Sequence, residues 1–173
     1  MYKFLKGYDS NLLAQVNKLI EENKLGDYLK SKYNIEKILN NDKDLYNLGI
    51  SIKNQYMKNV KNPDKIYFDN KIEFSNQALG LNSFIPKIQG KKIEIINDIK
   101  ISSRFKKLPY EFTYNVLVHE IAHLKEKNHS KSFYMLCQNI SPNYFQIDFD
   151  LRLYLTYNDI FKEILGKNNN SSS

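Results

Sequence analysis

The chain has 173 residues, 42% of them hydrophobic, and a formal net charge of +7 from 26 basic against 19 acidic side chains, which suits one domain with a modest core rather than two. Its single cysteine, Cys137, excludes an intramolecular disulfide and suits a reducing compartment. No apolar run approaches the roughly 18 residues of a membrane span and no N-terminal stretch reads as a secretory leader, so the expected location is the cytoplasm.

The first third reads as helical. Asp9 or Ser10 can cap a segment with apolar positions at Leu12, Leu13, Val16, Leu19 and Ile20, and Gly26 follows as its stop. Residues 27–41 carry no clear period. A second helix is predicted from Asp42 or Asp44 through Leu45, Leu48, Ile52 and Tyr56 to about Val60, with Pro63 beyond it. Residues 1–62 are thus expected to form a helical N-terminal extension packed on the core. The middle third changes character: Ile66-Tyr67-Phe68 and Ile72-Glu73-Phe74 are β-rich and separated by the turn-like Asp69-Asn70-Lys71. A second pair, Leu81 to Ile88 and Lys91 to Ile96, is joined across Gln89-Gly90. The fold class is therefore α+β: a small, largely antiparallel sheet of three or four strands against a helix, with helical N- and C-terminal segments.

That helix is predicted from about Pro109 to Lys127, held to the core by Tyr114, Leu117, Val118, Ile121 and Leu124. All three histidines of the chain lie between His119 and His129, and residues 119 to 123 read H-E-x-x-H. Residues four apart share a helix face, so His119 and His123 can both aim a ring nitrogen at one metal ion. Glu120 beside them is placed to take a proton from a metal-activated water as general base. The competing explanation is a solvated helix face, but accident produces this motif in well under ~1% of chains of this length.

A tetrahedral catalytic zinc needs a third protein ligand. His129 follows His119 at the interval of the third ligand in the metzincin pattern, although Glu126 stands where that pattern has its turning Gly. Asn128, which tolerates left-handed backbone, can end the helix just before the ligand instead. A carboxylate from Glu111, Glu126, Asp148, Asp150 or Glu163 is the alternative.

Downstream, Ser130 can cap a helix whose Phe133, Leu136, Cys137 and Ile140 pack behind the metal, with Cys137 a small buried hydrophobe. A last helix from about Pro142 through Phe149, Leu153, Leu155, Ile160, Phe161 and Ile164 closes the core, and 166–173 read as a disordered tail. Donors for a developing oxyanion are Tyr144, Tyr154, Tyr157, Arg152 and Arg104, which the sequence does not rank. Asp148 and Asp150 either orient imidazoles or are ordinary exposed acids.

The run from Tyr114 to Tyr134, with Leu108-Pro109 before it, His119 to Leu124 and Asn128-His129-Ser130 within it, Phe133 near its end and Pro142 beyond, resembles the YgjP-like family of small zinc metallopeptidases. The resemblance covers roughly 91–157. It implies a zinc metallopeptidase core over 63–165, one zinc ion per chain, His119, His123 and His129 as its ligands, and Glu120 as base. It also implies a protein or peptide substrate laid as an added strand along one sheet edge. The family is related to SprT-like and WLM-type peptidases, some of which cut proteins bound to DNA. Two departures stand out. The chain has no Trp, and Ser75-Asn76-Gln77-Ala78-Leu79-Gly80-Leu81-Asn82 replaces the Trp-bearing segment usual before the active-site helix; Tyr134 stands where Trp is common.

The basic charge suggests affinity for nucleic acid, yet the 26 basic residues are spread along the chain without a dense cluster. A zinc-stabilised nucleic-acid or protein binding module, and a metal-dependent hydrolase of a non-peptide amide, are the rival readings.

Overall fold

Apolar residues at every second position of residues 65–69 and 98–102 build the sheet that the helices cover. The structure is a computed structural model describing residues 2–73 and 79–169, with side chains described as far as Phe161. Strand β1 (Lys65–Asp69), β2 (Gly80–Gln89) and β3 (Lys92–Ser102) lie in the order β1-β3-β2. The β2–β3 hairpin turns at Gly90, whose φ of 61° is open to glycine at no cost.

The other predicted hairpin does not form. β1 pairs in parallel with β3, Ile66 opposite Ile99 and Phe68 opposite Ile101, while Ile72 and Glu73 lie outside the strands and Phe74 lies outside the described residues. Two three-residue strands would share few ladder bonds. Pairing with the central strand instead puts Ile66, Phe68, Ile99 and Ile101 together in the buried core. The result is α+β, with six α-helices and a three-stranded mixed sheet among the described residues.

Helix α1 (Ser10–Glu21) is capped by the Asp9 carboxylate, which accepts from the Asn11 and Leu12 N–H groups. Its stop is Asn23, in left-handed backbone at φ 54°, and not Gly26. Gly26 lies within α2 (Leu25–Lys32), where a Cβ would stand 2.9 Å from the Tyr157 hydroxyl. α3 (Asp42–Tyr56), capped by Asn41, ends before the predicted Val60. At Gly49 a Cβ would meet Ile66 Cδ1 at 2.3 Å, so the missing side chain sets how closely α3 approaches the sheet.

α4 (Tyr110–Ala122) follows Pro109, and its first free N–H, on Tyr110, donates to the Lys37 carbonyl at 2.7 Å. Phe112, Leu117, Val118, Ile121 and Ala122 are fully buried, because α4 contacts β2 and β3, α3, α5 (Lys131–Ile140) and α6 (Tyr144–Asn169). A helix enclosed on most sides is a rigid base for any side chain it presents. Residues 170–173 of the expected tail lie outside the described residues.

α6 is fastened to α2 by Asp150, which is fully buried. Its carboxylate accepts from the Tyr33 hydroxyl and the Lys32 ammonium, each at 2.6 Å, from Tyr28 at 3.0 Å and from Gln146 at 3.1 Å. Burial, with this hydrogen bond adding to it, raises the Tyr33 phenol, so it stays a donor. Among the described residues no helix is long and apolar enough to cross a membrane.

Candidate metal centre

The last turn of α4 and the segment after it bring all three histidines to one point. His119 and His123 project from the same side of the helix, and the chain leaves α4 at Ala122, not at Lys127 as predicted. It turns through Leu124, Lys125 and Glu126, whose N–H groups donate to the Ile121 and Ala122 carbonyls. Among the described non-glycine residues only Asn23 has a positive φ; Asn128 therefore does not supply the turn, which is wound tightly enough from the helix end to need no left-handed residue. His129 returns from it, and Ser130 caps α5 by accepting from the Phe133 N–H at 3.3 Å.

His129 Nε2 lies 3.0 Å from His119 Nε2 and 3.1 Å from His123 Nε2. Nitrogens around a tetrahedral zinc stand roughly 3.3 Å apart, given metal–nitrogen distances of roughly 2.0–2.1 Å. The two separations from His129 are close to that value, the ligand atoms of all three histidines lie within 4.8 Å of one another, and they form a group that could hold a metal ion.

The rear of each α4 imidazole is also specified. His123 Nδ1 meets the Glu126 carbonyl at 3.0 Å. A carbonyl only accepts, so Nδ1 carries the proton and Nε2 keeps its lone pair for a metal. His119 Nδ1 meets the Tyr144 hydroxyl at 2.6 Å, and that hydroxyl hydrogen-bonds with the Cys137 thiol. Burial pushes the thiol up to about 12, keeping it neutral. Phe133 forms the floor, its ring centroid 4.9, 4.5 and 4.9 Å from those of His119, His123 and His129. Burial, with His123 and His129 as like-charged neighbours, lowers His119 to about 3, so its imidazole is neutral at physiological pH.

Glu120, the next residue round α4 from His119, sets its carboxylate against β2 in the cleft that the imidazoles also line. The Asn82 amide donates to the Glu120 carbonyl at 3.0 Å, and the Asn82 backbone N–H bonds the carboxylate. Burial nevertheless dominates and raises Glu120 to about 8 in the metal-free site. Gly80, Leu81, Asn82 and Phe84 of β2 form one wall of a cleft whose other wall holds His119, Glu120, His123 and His129.

Residues 94–153 match the YgjP-like, metallopeptidase domain family. A UTP pyrophosphatase of Escherichia coli (strain K12) is 40% identical over 153 residues, which cover 88% of this chain and 92% of that protein. The chain belongs to the YgjP-like family. No solved structure matches it significantly.

Within this YgjP-like site the carboxylates weighed as third ligand stand elsewhere. Asp150 is occupied between α2 and α6, Asp148 pairs with Arg152 at 2.8 Å, and the Glu126 side chain accepts from Ser132. Glu111 lies on the first turn of α4, two turns from His119, and the side chain of Glu163 lies outside the described residues. Of the oxyanion candidates, Tyr144 sits behind His119, and Arg152 lines a small cavity with Tyr144, His119 and Glu120. Tyr154 and Tyr157 line a separate apolar cavity, and Arg104 a third one. Gly80 and Asn82 fall in the 75–82 segment that departs from the family pattern, but their contacts with Glu120 are not legible in the chain alone. Only their place on a strand crossing α4 reveals them, and no pattern in the sequence encodes that crossing.

Proposed function

We propose that this protein is a zinc-dependent hydrolase of nucleoside triphosphates, with UTP as the first substrate to test, acting in the cytoplasm. The observation that carries the hydrolase reading is the convergence of three imidazole Nε2 atoms beside a carboxylate, Glu120, held by β2. The substrate class is supported by the likeness to the UTP pyrophosphatase over nearly the full length of both chains. His119, His123 and His129 would hold the zinc, which would supply Lewis acidity toward a water and toward the phosphate to be split. Glu120, which the charge of that cation would return to its carboxylate form, would take the proton of the water. The water oxygen would add to the α-phosphorus as the bond to the bridging oxygen breaks, and Glu120 would pass the proton to the pyrophosphate that leaves with the electron pair. Tyr144 and the Glu126 carbonyl keep His119 and His123 in the tautomer that faces the metal.

A second reading, hydrolysis of a peptide by the same groups, is favoured by one observation. β2 is an edge strand among the described residues and forms a wall of the cleft, so an extended peptide can pair with it.

The test uses zinc-loaded protein offered UTP and, separately, an unfolded protein substrate. The expected outcome is UMP and pyrophosphate from UTP, with Glu120→Gln retaining zinc and losing about 100-fold or more in rate. His129→Ala should lose most of its zinc by elemental analysis. Peptide products without UTP turnover would favour the second reading, and neither activity in zinc-replete protein would end the hydrolase reading.

A further inference from the structure

Phe84 breaks the usual economy of a core aromatic. The residue is 48% exposed, although it lies on the face of the sheet that is turned toward α4. The register shows this: Asn82 lies opposite Ile99, Phe84 opposite Asn97 and Pro86 opposite Ile95, and on this face Ile99 is buried and Asn82 bonds to α4. Phe84 is therefore one pleat beyond the residue that secures the Glu120 backbone, at the rim of the metal cleft. Across that rim stands Lys127, exposed, its ammonium 5.8 Å from the Phe84 ring centroid. Lys127 forms no ion pair among the described residues. The cleft between them and the imidazoles encloses about 380 Å³, within the range of small-molecule sites.

We propose that Phe84 and Lys127 are the substrate-recognising rim of this site, Phe84 stacking on the nucleobase and Lys127 pairing with the phosphate chain. The proposal rests on the nucleoside triphosphate reading given above. Phe84 is half-exposed, and a planar base stacks on such a ring whatever its hydrogen-bonding edge, taking the place that the Lys127 ammonium holds over it and leaving that charge to the phosphates. A lysine carries a point charge on a flexible stem, which suits a mobile polyphosphate. The two side chains come from opposite walls of the cleft that His119, His123 and His129 also line, one from β2 and one from the turn after α4, so a ligand held by both reaches from the rim into the cleft beside the imidazoles. A triphosphate with a base at one end and charge along its length has that shape. The rim thereby accounts for affinity and for the preference for a nucleotide, leaving His119, Glu120, His123 and His129 to the chemistry.

The experiment is calorimetric titration of UTP, and separately of inorganic triphosphate, into zinc-loaded Glu120→Gln protein. The same is done with Phe84→Ala, Phe84→Trp and Lys127→Ala added to it. Phe84→Ala is expected to weaken UTP by roughly tenfold or more, the size of a lost base–aromatic stack, and to leave inorganic triphosphate unchanged; Phe84→Trp should restore UTP binding. Lys127→Ala is expected to weaken both ligands. Both positions are exposed, and unchanged melting temperatures will show that the fold is intact. Equal UTP affinity in all the proteins, or no UTP binding in any, overturns the proposal. UTP binding that depends on both residues, in a wild-type protein that releases no pyrophosphate, overturns the hydrolase reading alone and leaves the rim as a nucleotide site.

Discussion

Gly80 and Glu120 leave no room for a methyl group between them: a Cβ on Gly80 would lie 2.8 Å from Glu120 Oε1 and 2.9 Å from its Cγ. The strand that bonds Glu120 through Asn82 thus also presses on its side chain, and the two contacts fix where the carboxylate stands.

Gly80→Ala should therefore displace the carboxylate without touching the histidines. Zinc content should remain that of the wild type, while kcat falls by roughly 100-fold, the cost of misplacing a reacting group by about 1 Å. Parallel metal analysis and turnover measurement check this, and wild-type turnover would show that the exact seat of Glu120 does not matter.

Tyr144→Phe removes the hydroxyl that meets His119 Nδ1 at 2.6 Å and keeps the ring. Zinc affinity should drop by about 10–100-fold, as for other partners that orient a metal-binding imidazole, and competition with a chelator measures it. Unchanged affinity would mean that packing on Phe133 alone orients His119.

Without metal, the pH dependence of stability should pass through a maximum. His119 is lowered from 6.5 to about 3, chiefly by burial, so between these values the unfolded chain binds a proton that the folded chain does not, and stability is lost on acidification. Glu120 is raised from 4.5 to about 8 by burial; here the folded chain holds the extra proton, and stability is lost as pH rises through that window. Melting of chelator-treated protein across pH 4 to 9 should show both limbs. Glu120→Gln should flatten the alkaline one, and an alkaline limb that survives this change would assign it to other groups.

Asp150→Ala should destabilise the fold and spare the chemistry. It strands the Tyr33 and Tyr28 hydroxyls and Lys32, at roughly 3 kcal/mol, the low end for breaking a buried pair because Lys32 regains water. Denaturant melts give the loss. A change below about 0.5 kcal/mol, typical of ordinary surface positions, would show that the network is not what joins α2 to α6.

What the sequence discloses here follows from how local each signal is. The four-residue spacing of His119 and His123 is set by helix geometry, and Ser130 marks the start of α5 by its own side chain, so both are readable without tertiary information. Gly90 likewise marks its hairpin. β1 is misread because its partner, β3, is distant in sequence and the nearer segment at 72–74 offers an equally β-rich pattern. The end of α4 is misread because apolar Leu124 continues the period after the hydrogen-bonding has already tightened into a turn. The positions of Tyr144 behind His119 and Gly80 against Glu120 depend on α6 and β2 crossing α4. Composition holds no trace of such crossings.

The turn between α4 and α5 bears on how the protein would be handled by proteases. Lys125, Lys127, Asn128 and His129 are all exposed, and after the Glu126 N–H, which still donates to Ala122, the backbone leaves the helix-end winding on its way to Ser130. An ion gripped by residues on either side of this turn would close it into a short loop, removing freedom that the free chain retains. Trypsin would then read the occupancy of the site directly, cutting after Lys125 or Lys127 in the empty protein and being excluded from the loaded one.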